Sequence, residues 1–469
     1  MDERFDQKLR RMTSDPVEGL VTRMAAPTIV IMLISAFYNM ADTYFVSGLG
    51  TSATAAVGVS FSLMAIIQAI GFFFGHGAGN FISRSLGAGR TEEAARMAMT
   101  GFGSSLGAGV LVALAGLVFL EPLALVLGST ETILPHACDY LRYILLAAPW
   151  MAASLMLNNL LRFQGSAFYG MIGMTSGAVL NVGLDPLFIY TFGLGVSGAA
   201  IATMISQFVS FCLLLAGCAR GGNIAIRARH FSPKPWHYRE IVRGGLPSLC
   251  RQGLAAASAI ILNQMAGSFG DAAIAAMSIV RRVYWFAGSA LIGWGQGFQP
   301  VCGFNYGAGL YTRVKRAFWF CFTSSFWVLL VLSVLGFVFA GDIVAKFRPD
   351  DPDVIRIGTL ALQLQCAVMP FTGWVILNNM MLQTIGRAGP ATLLALSRQG
   401  LFLLPALFLL TPRFGVLGIQ LAQPIADLAT VLLALPIGLK VLRGMVENEP
   451  PPGGLSLSDP AALPPPDDA

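Results

Sequence analysis

Apolar positions along this chain come in long unbroken runs, not in the spaced stripes of an amphipathic surface helix. Twelve runs stand out, at about 24–46, 54–80, 98–120, 139–161, 168–191, 196–218, 244–268, 273–299, 317–340, 358–382, 389–411 and 415–439. Each is long enough to cross a hydrocarbon layer as a helix, which takes about 20 residues. Helix is the default because a span must satisfy its own backbone hydrogen bonds. A membrane barrel would need alternating segments of about 10 residues, and these runs are longer and do not alternate.

The runs repeat. Shifted by 220 residues, the chain meets itself without a gap. Arg23 and Pro27 meet Arg243 and Pro247, and Gly87-Ala88-Gly89 meets Gly307-Ala308-Gly309. Leu157-Asn158-Asn159 meets Leu377-Asn378-Asn379, and Gly195-Val196 meets Gly415-Val416. Six spans per half is an even number, so the halves share an orientation. The axis relating them runs along the membrane normal, as in transporters with parallel repeats. The expected division is an N-terminal segment 1–23, an N-half 24–218, a linker 219–243, a C-half 244–440 and a tail 441–469. The tail is Pro-rich and acidic from Glu449 on and is expected to be disordered.

Composition agrees. Hydrophobic residues are 55% and charged residues 12% of the 469, against about 25% charged in a soluble protein. The net charge of +6 does not point to nucleic acid, because no basic stripe carries interleaved stacking aromatics. With the N-terminus placed in the cytoplasm, inner segments hold 21 Lys and Arg and outer segments 5. That bias predicts cytoplasmic termini and a multi-pass protein of the plasma, or bacterial inner, membrane. Arg251, Arg281, Arg282 and Arg398 fall inside spans. The seven Cys show no disulfide or metal spacing. No phosphate-binding loop, metal-binding helix pair or nucleophile elbow is visible. His76 sits among glycines that mimic a dinucleotide loop without the preceding strand. The chain therefore reads as a non-enzyme without a cofactor.

An ionisable group inside the bilayer is a functional hypothesis by default, and three acids qualify: Asp42, Asp185 and Asp427. Asp42, Asp185 and Thr203 fall at a similar depth in the outer part of spans 1, 5 and 6. Tyr38, Asn181 and Gln207 lie one turn away on the same faces. Such a cluster can hold a proton, or a dehydrated Na⁺ at Asp42, Asn181, Asp185 and Thr203, since hard cations take oxygen ligands. Under the 220 shift, Asp42 meets Leu262, Asn181 meets Leu401, Asp185 meets Pro405 and Thr203 meets Gln423. Coupling is thus expected in the N-half alone. Asp185-Pro186 reads as a helix interruption. Candidates for the substrate cavity are Asn158, Gln207, Arg251, Gln252, Arg398 and Asp427, with Arg398 and Asp427 a potential pair.

Several strings resemble motifs of the multidrug and toxic compound extrusion (MATE) family. They are Asn39-Met40-Ala41-Asp42-Thr43-Tyr44, Ile82-Ser83-Arg84-Ser85-Leu86-Gly87-Ala88-Gly89, Leu180-Asn181-Val182-Gly183-Leu184-Asp185-Pro186 and Phe304-Asn305-Tyr306-Gly307. Ser397-Arg398-Gln399-Gly400 and Ala422-Gln423-Pro424-Ile425-Ala426-Asp427 are similar to its late motifs. The resemblance covers about residues 15–445. It implies a V-shaped, all-α bundle of twelve transmembrane helices in two parallel repeats. It also implies an antiporter that exports bulky, often cationic small molecules in exchange for H⁺ or Na⁺. In prokaryotic members the residues matching Asp42 and Asp185 bind the coupling ion, with those matching Asn181 and Thr203 nearby. Some relatives carry carboxylates in spans 7 and 10; here there are none, which favours the N-half site. Membrane lipids are the expected surroundings and a monomer the expected state. The competing reading is an exporter or flippase of an anionic, zwitterionic or lipid-linked metabolite. A membrane enzyme or receptor would need a catalytic constellation or ligand domain that the sequence lacks.

Overall fold

A computed structural model describes residues 3–445. An N-terminal helix α1 (Glu3–Ser14) precedes the first span, α2 (Val17–Ser47). There follow α3 (Thr51–Gly87), α4 (Thr91–Val118), the short α5 (Leu120–Val126), α6 (Leu134–Phe163), α7 (Ala167–Pro186) and α8 (Gly195–Cys218). A linker leads to α9 (Pro235–Gly267), α10 (Asp271–Gly307), α11 (Tyr311–Val338) and the short α12 (Ala340–Phe347). The chain ends in α13 (Pro352–Val368) with α14 (Thr372–Thr384), α15 (Ala388–Leu396) with α16 (Leu404–Phe414), and α17 (Val416–Gly444). Counting α13–α14 and α15–α16 as one span each, all twelve expected spans are present. Eleven are apolar enough to cross a membrane on composition alone. The other, α10, carries Arg281 and Arg282.

The repeat is visible in the helix ends. The bounds of α3 and α10, and of α4 and α11, differ by 220 at both ends. The connecting turns match too: Gly50 and Gly270 have φ of 108° and 99°, a region open to glycine at little cost.

Several helices are longer than a single bilayer crossing requires. At 1.5 Å per residue, the 37 residues of α3 reach about 55 Å. The segment 1–23, expected as a polar lead, is helical from Glu3 apart from a break at Asp15–Pro16. The expected start of the tail at 441 is overtaken by α17, which runs to Gly444. From 446 on, the tail lies outside the described residues.

The two halves converge at one end of the bundle. A Cβ on Gly87 would overlap the carbonyl of Phe304, and one on Gly307 would overlap the carbonyl of Arg84. These contacts exchange under the 220 shift, so the pseudo-two-fold axis passes between α3 and α10 here. Gly77 meets the backbone of Ile241, and Gly297 that of Ala25, with equally little room. Hydrogen bonds between the halves cluster at the same level. Thr28 donates to the Gly293 carbonyl at 3.1 Å, Arg84 to the Thr384 carbonyl at 2.6 Å, and the Thr384 hydroxyl to Asn80 Oδ1 at 3.0 Å. Toward the other end Phe37, Trp285 and Phe286 are exposed.

Candidate functional site

Proline shapes the first candidate site. Pro186 lacks a backbone donor, and the helix widens just after it into a π turn, Leu187–Thr191. Turns of this kind often mark functional sites. The expected interruption is therefore present, and it sets Asp185 at the last regular turn of α7. Asp185 is wholly buried and Asn181, one turn earlier, nearly so. With its amide oriented to satisfy both neighbours, Asn181 donates to Asp185 Oδ2 at 3.1 Å and accepts from the Thr203 hydroxyl at 3.2 Å. Thr203, on α8, is itself wholly buried.

Asp42 closes the cluster from α2. It is 1% exposed and an electrostatic neighbour of Asp185. Its Oδ1 has no hydrogen-bond partner among the described residues. Tyr38, half-buried one turn earlier, neighbours both carboxylates. The structure thus brings together Tyr38, Asp42, Asn181, Asp185 and Thr203. Gln207 lies half-buried one turn beyond Thr203 on α8. Sequence reading missed Tyr140 of α6, which is wholly buried and neighbours both carboxylates and Thr203. Its depth, about six residues from the start of α6, was the available signal. Two buried carboxylates with hydroxyl groups in the same cluster suit a proton or a small hard cation.

The C-half holds a different network at Asp427. Arg398 donates to Asp427 through Nε at 2.7 Å and Nη2 at 3.3 Å. Gln423 and Gln365 each donate to the carboxylate at 2.8 Å. Arg398 also donates to the Tyr284 hydroxyl at 2.7 Å. The expected pair exists, saturated by two glutamines, and Arg398 sits on a second π turn, Ser397–Leu403, that runs up to Pro405. Asp427 is 1% exposed and Arg398 partly exposed.

The remaining cavity candidates separate. Asn158 turns toward α7, where a Cβ on Gly170 would lie 2.5 Å from its Oδ1, so it packs within its own half. Arg251 and Gln252 are half-buried on α9, and Arg251 donates to Asn379 Oδ1 at 3.2 Å. Arg162, assigned by the sequence to an inner loop, is instead 1% exposed within α6. Its length lets it reach across: it donates to the Gln296 carbonyl at 2.9 Å and to Gln299 Oε1 at 2.8 Å, both on α10, and to Asn159 at 2.5 Å. Beside it, Gln383 donates to the Ser248 hydroxyl at 2.8 Å, which is hydrogen-bonded to His76 Nδ1 at 2.9 Å.

Comparison with known proteins places these features. The MatE family profile matches residues 27–187 and 247–409, two blocks that begin 220 residues apart. The chain is similar to "Multidrug export protein MepA" of Staphylococcus haemolyticus, 26% identical over 92% of this chain and 95% of the relative. The protein of that name in Staphylococcus aureus strain MSSA476 is 27% identical over the same shares. Among solved structures, a MATE protein in complex with MaL6 superposes with a TM-score of 0.87 at 25% identity, covering 93% of this chain and 98% of that one. A multidrug resistance MATE transporter in an outward-facing conformation gives 0.86 at 25% identity, covering 94% and 98%. A Pyrococcus furiosus transporter, described as having a binding pocket of reverse polarity, gives 0.86 at 25% identity over 93% and 98%.

Proposed function

We propose, on the premise that this chain belongs to the MatE family, that it is a secondary antiporter exporting drug-like organic compounds in exchange for H⁺ or Na⁺. Its relatives are multidrug exporters and transporters, not enzymes. The observation that carries the reading is the pair of neighbouring buried carboxylates Asp42 and Asp185, the latter hydrogen-bonded to Asn181, which also bonds Thr203, in one half, with Leu262 and Pro405 at the matching positions of the other. Cationic small molecules are the substrates the family resemblance implies. The charge asymmetry of the loops supports a bacterial inner-membrane protein with both termini in the cytoplasm.

In that orientation the sealed end faces the cytoplasm and the V opens outward, the form in which substrate leaves and the cation enters. A cation bound between Asp42 and Asp185 neutralises charge that is costly at membrane depth. With its negative charge reduced, the cluster allows the halves to swing and the cytoplasmic contacts to part. Release of the cation inside resets the cycle. Each charge moved inward down 100 mV supplies about 2.3 kcal/mol, enough for roughly a 50-fold substrate gradient.

The test is transport of a fluorescent organic cation in reconstituted vesicles under separately imposed pH and Na⁺ gradients. Wild type is expected to respond to one gradient, which names the ion. Asp42→Asn and Asp185→Asn are each expected to lose more than about nine-tenths of that response. Normal gradient-driven transport by Asp42→Asn would remove the proposed coupling site.

A further inference from the structure

The Leu-Asn-Asn triplet that marks the repeat performs one task in both halves. Asn159 and Asn379, equivalent under the 220 shift, each present an amide oxygen to an arginine. Asn159 Nδ2 donates to the Leu155 carbonyl and Asn379 Nδ2 to the Ala391 carbonyl, so both oxygens are aimed elsewhere. They accept from Arg162 and Arg251 respectively. The two arginines are electrostatic neighbours across the halves, and His76 is a neighbour of both. Gln383 donates to the Ser248 hydroxyl, which is hydrogen-bonded to His76 Nδ1.

No carboxylate pairs with Arg162 or Arg251 among the described residues. Asp42 and Asp185 lie in the other part of the bilayer, and Asp427 is saturated by Arg398 and two glutamines. The buried Nε of Arg162 has no hydrogen-bond partner among the described residues. Arg251, half-buried at the middle of α9, gives one N–H to Asn379, and a guanidinium carries five in a fork that matches an oxyanion. Two neighbouring guanidinium groups held by asparagine oxygens, with no carboxylate partner among the described residues, present a charge and geometry that match an oxyanion.

We infer that Arg251, held by Asn379 and backed by Asn159, Arg162 and His76, forms an oxyanion-binding site where the halves meet, which takes a carboxylate, phosphate or sulfonate group of the exported compound. This deepens the export reading and rests on it for the word exported. It adds to the substrate class compounds that carry an oxyanion, zwitterions among them, and it is independent of which cation is coupled.

The test measures binding to the purified full chain in nanodiscs with a fluorescent aromatic carboxylate and its neutral amide. Wild type is expected to prefer the carboxylate by at least about tenfold. Arg251→Gln is expected to bring the ratio of the two affinities to about one, and Arg251→Lys to keep part of it. A ratio cancels any general loss of binding, and an unchanged thermal transition shows that each variant folds. Dihexanoyl phosphatidic acid is added as competitor. Displacement of the carboxylate at lower concentration than a free aryl phosphate assigns the oxyanion to a lipid; the reverse order assigns it to a soluble compound. Equal wild-type affinity for carboxylate and amide, or a preference that survives Arg251→Gln, overturns the inference. A preference for the carboxylate with no gradient-driven transport of it keeps the site and removes the export reading. Gradient-driven transport dependent on Asp42 but blind to probe charge does the opposite.

Discussion

Asp427 accepts four hydrogen bonds while Asp42 has an oxygen with none among the described residues, and the two acids should answer mutation in different ways. Removing Arg398 leaves a buried charge with only two amide donors. Loss of one partner of a buried pair typically costs about 3–5 kcal/mol, whereas replacing both by apolar groups is often near neutral. Arg398→Gln is therefore expected to lower the unfolding midpoint clearly, and Arg398→Met with Asp427→Leu to recover most of the loss. A double variant no more stable than the single one would show that the pair has no structural cost. Arg162 offers a second prediction at this scale. Its bonds to Gln296 and Gln299 join the halves, and bonds from a charged donor contribute about 1.5–3 kcal/mol each. Arg162→Ala should shift the population toward forms open at the sealed end. Spin labels at Glu92→Cys and Thr312→Cys, equivalent exposed sites at that end, should gain a longer distance component. An unchanged distribution would remove Arg162 from the latch.

Among the elements, α1 is a strap across both halves. Lys8 donates to Asn223 Oδ1 at 2.6 Å and Ser166 Oγ at 3.2 Å in the N-half and linker. Asn305 and Arg313 of the C-half donate to the carbonyls of Met12 and Asp15. Burial lowers the Lys8 amine to about 8 from 10.5. The detached strap therefore binds the proton more tightly than the docked one, and docking gains free energy as pH rises from about 8 toward 10.5. Hydrogen exchange of α1, corrected for intrinsic rates, is expected to show greater protection at pH 9.5 than at pH 7.5, with that difference lost in Lys8→Met. Glycine use separates helix faces in the same testable way. Gly87 abuts the backbone of α10, whereas Gly107 of α4 has open space where a Cβ would go. Gly87→Val should cost at least about 1–3 kcal/mol through overpacking. Gly107→Ala should be neutral or stabilise by up to about 1 kcal/mol. Reversed midpoint shifts would contradict the close approach of α3 to α10.

At the scale of the molecule, the sealed end must open once per cycle if the halves rock. Asn80 and Thr384 touch across the halves there. In a background without the seven native cysteines, Asn80→Cys with Thr384→Cys should cross-link with a short thiol reagent and stop transport until reduced. Transport that continues after complete cross-linking would exclude rocking at this contact. The same scale separates what was legible in the chain from what was not. Span number, the parallel repeat and the cluster of Asp42, Asn181, Asp185 and Thr203 were readable, because bilayer thickness sets run length and helical rise sets depth. The repeat added contrast, since a pair of carboxylates present in one half and missing from its copy marks the half that differs. Depth does not set azimuth, however, nor where long side chains end. Arg162 read as a loop cation because it closes a hydrophobic run, yet its flexible stem carries the charge across to α10. Tyr140 and Gln365 look like ordinary span residues until neighbouring helices bring acids to them. Asn158 and Asn159 are adjacent in sequence and point about 100° apart on the helix, so one packs inside its half and the other holds an arginine. The sequence by itself determined the number of spans and the level of each backbone position along them, because both follow from local hydrophobicity and a fixed rise per residue. Which charges meet, which are neutralised and which are left facing the cleft was decided only when two copies of one fold closed against each other.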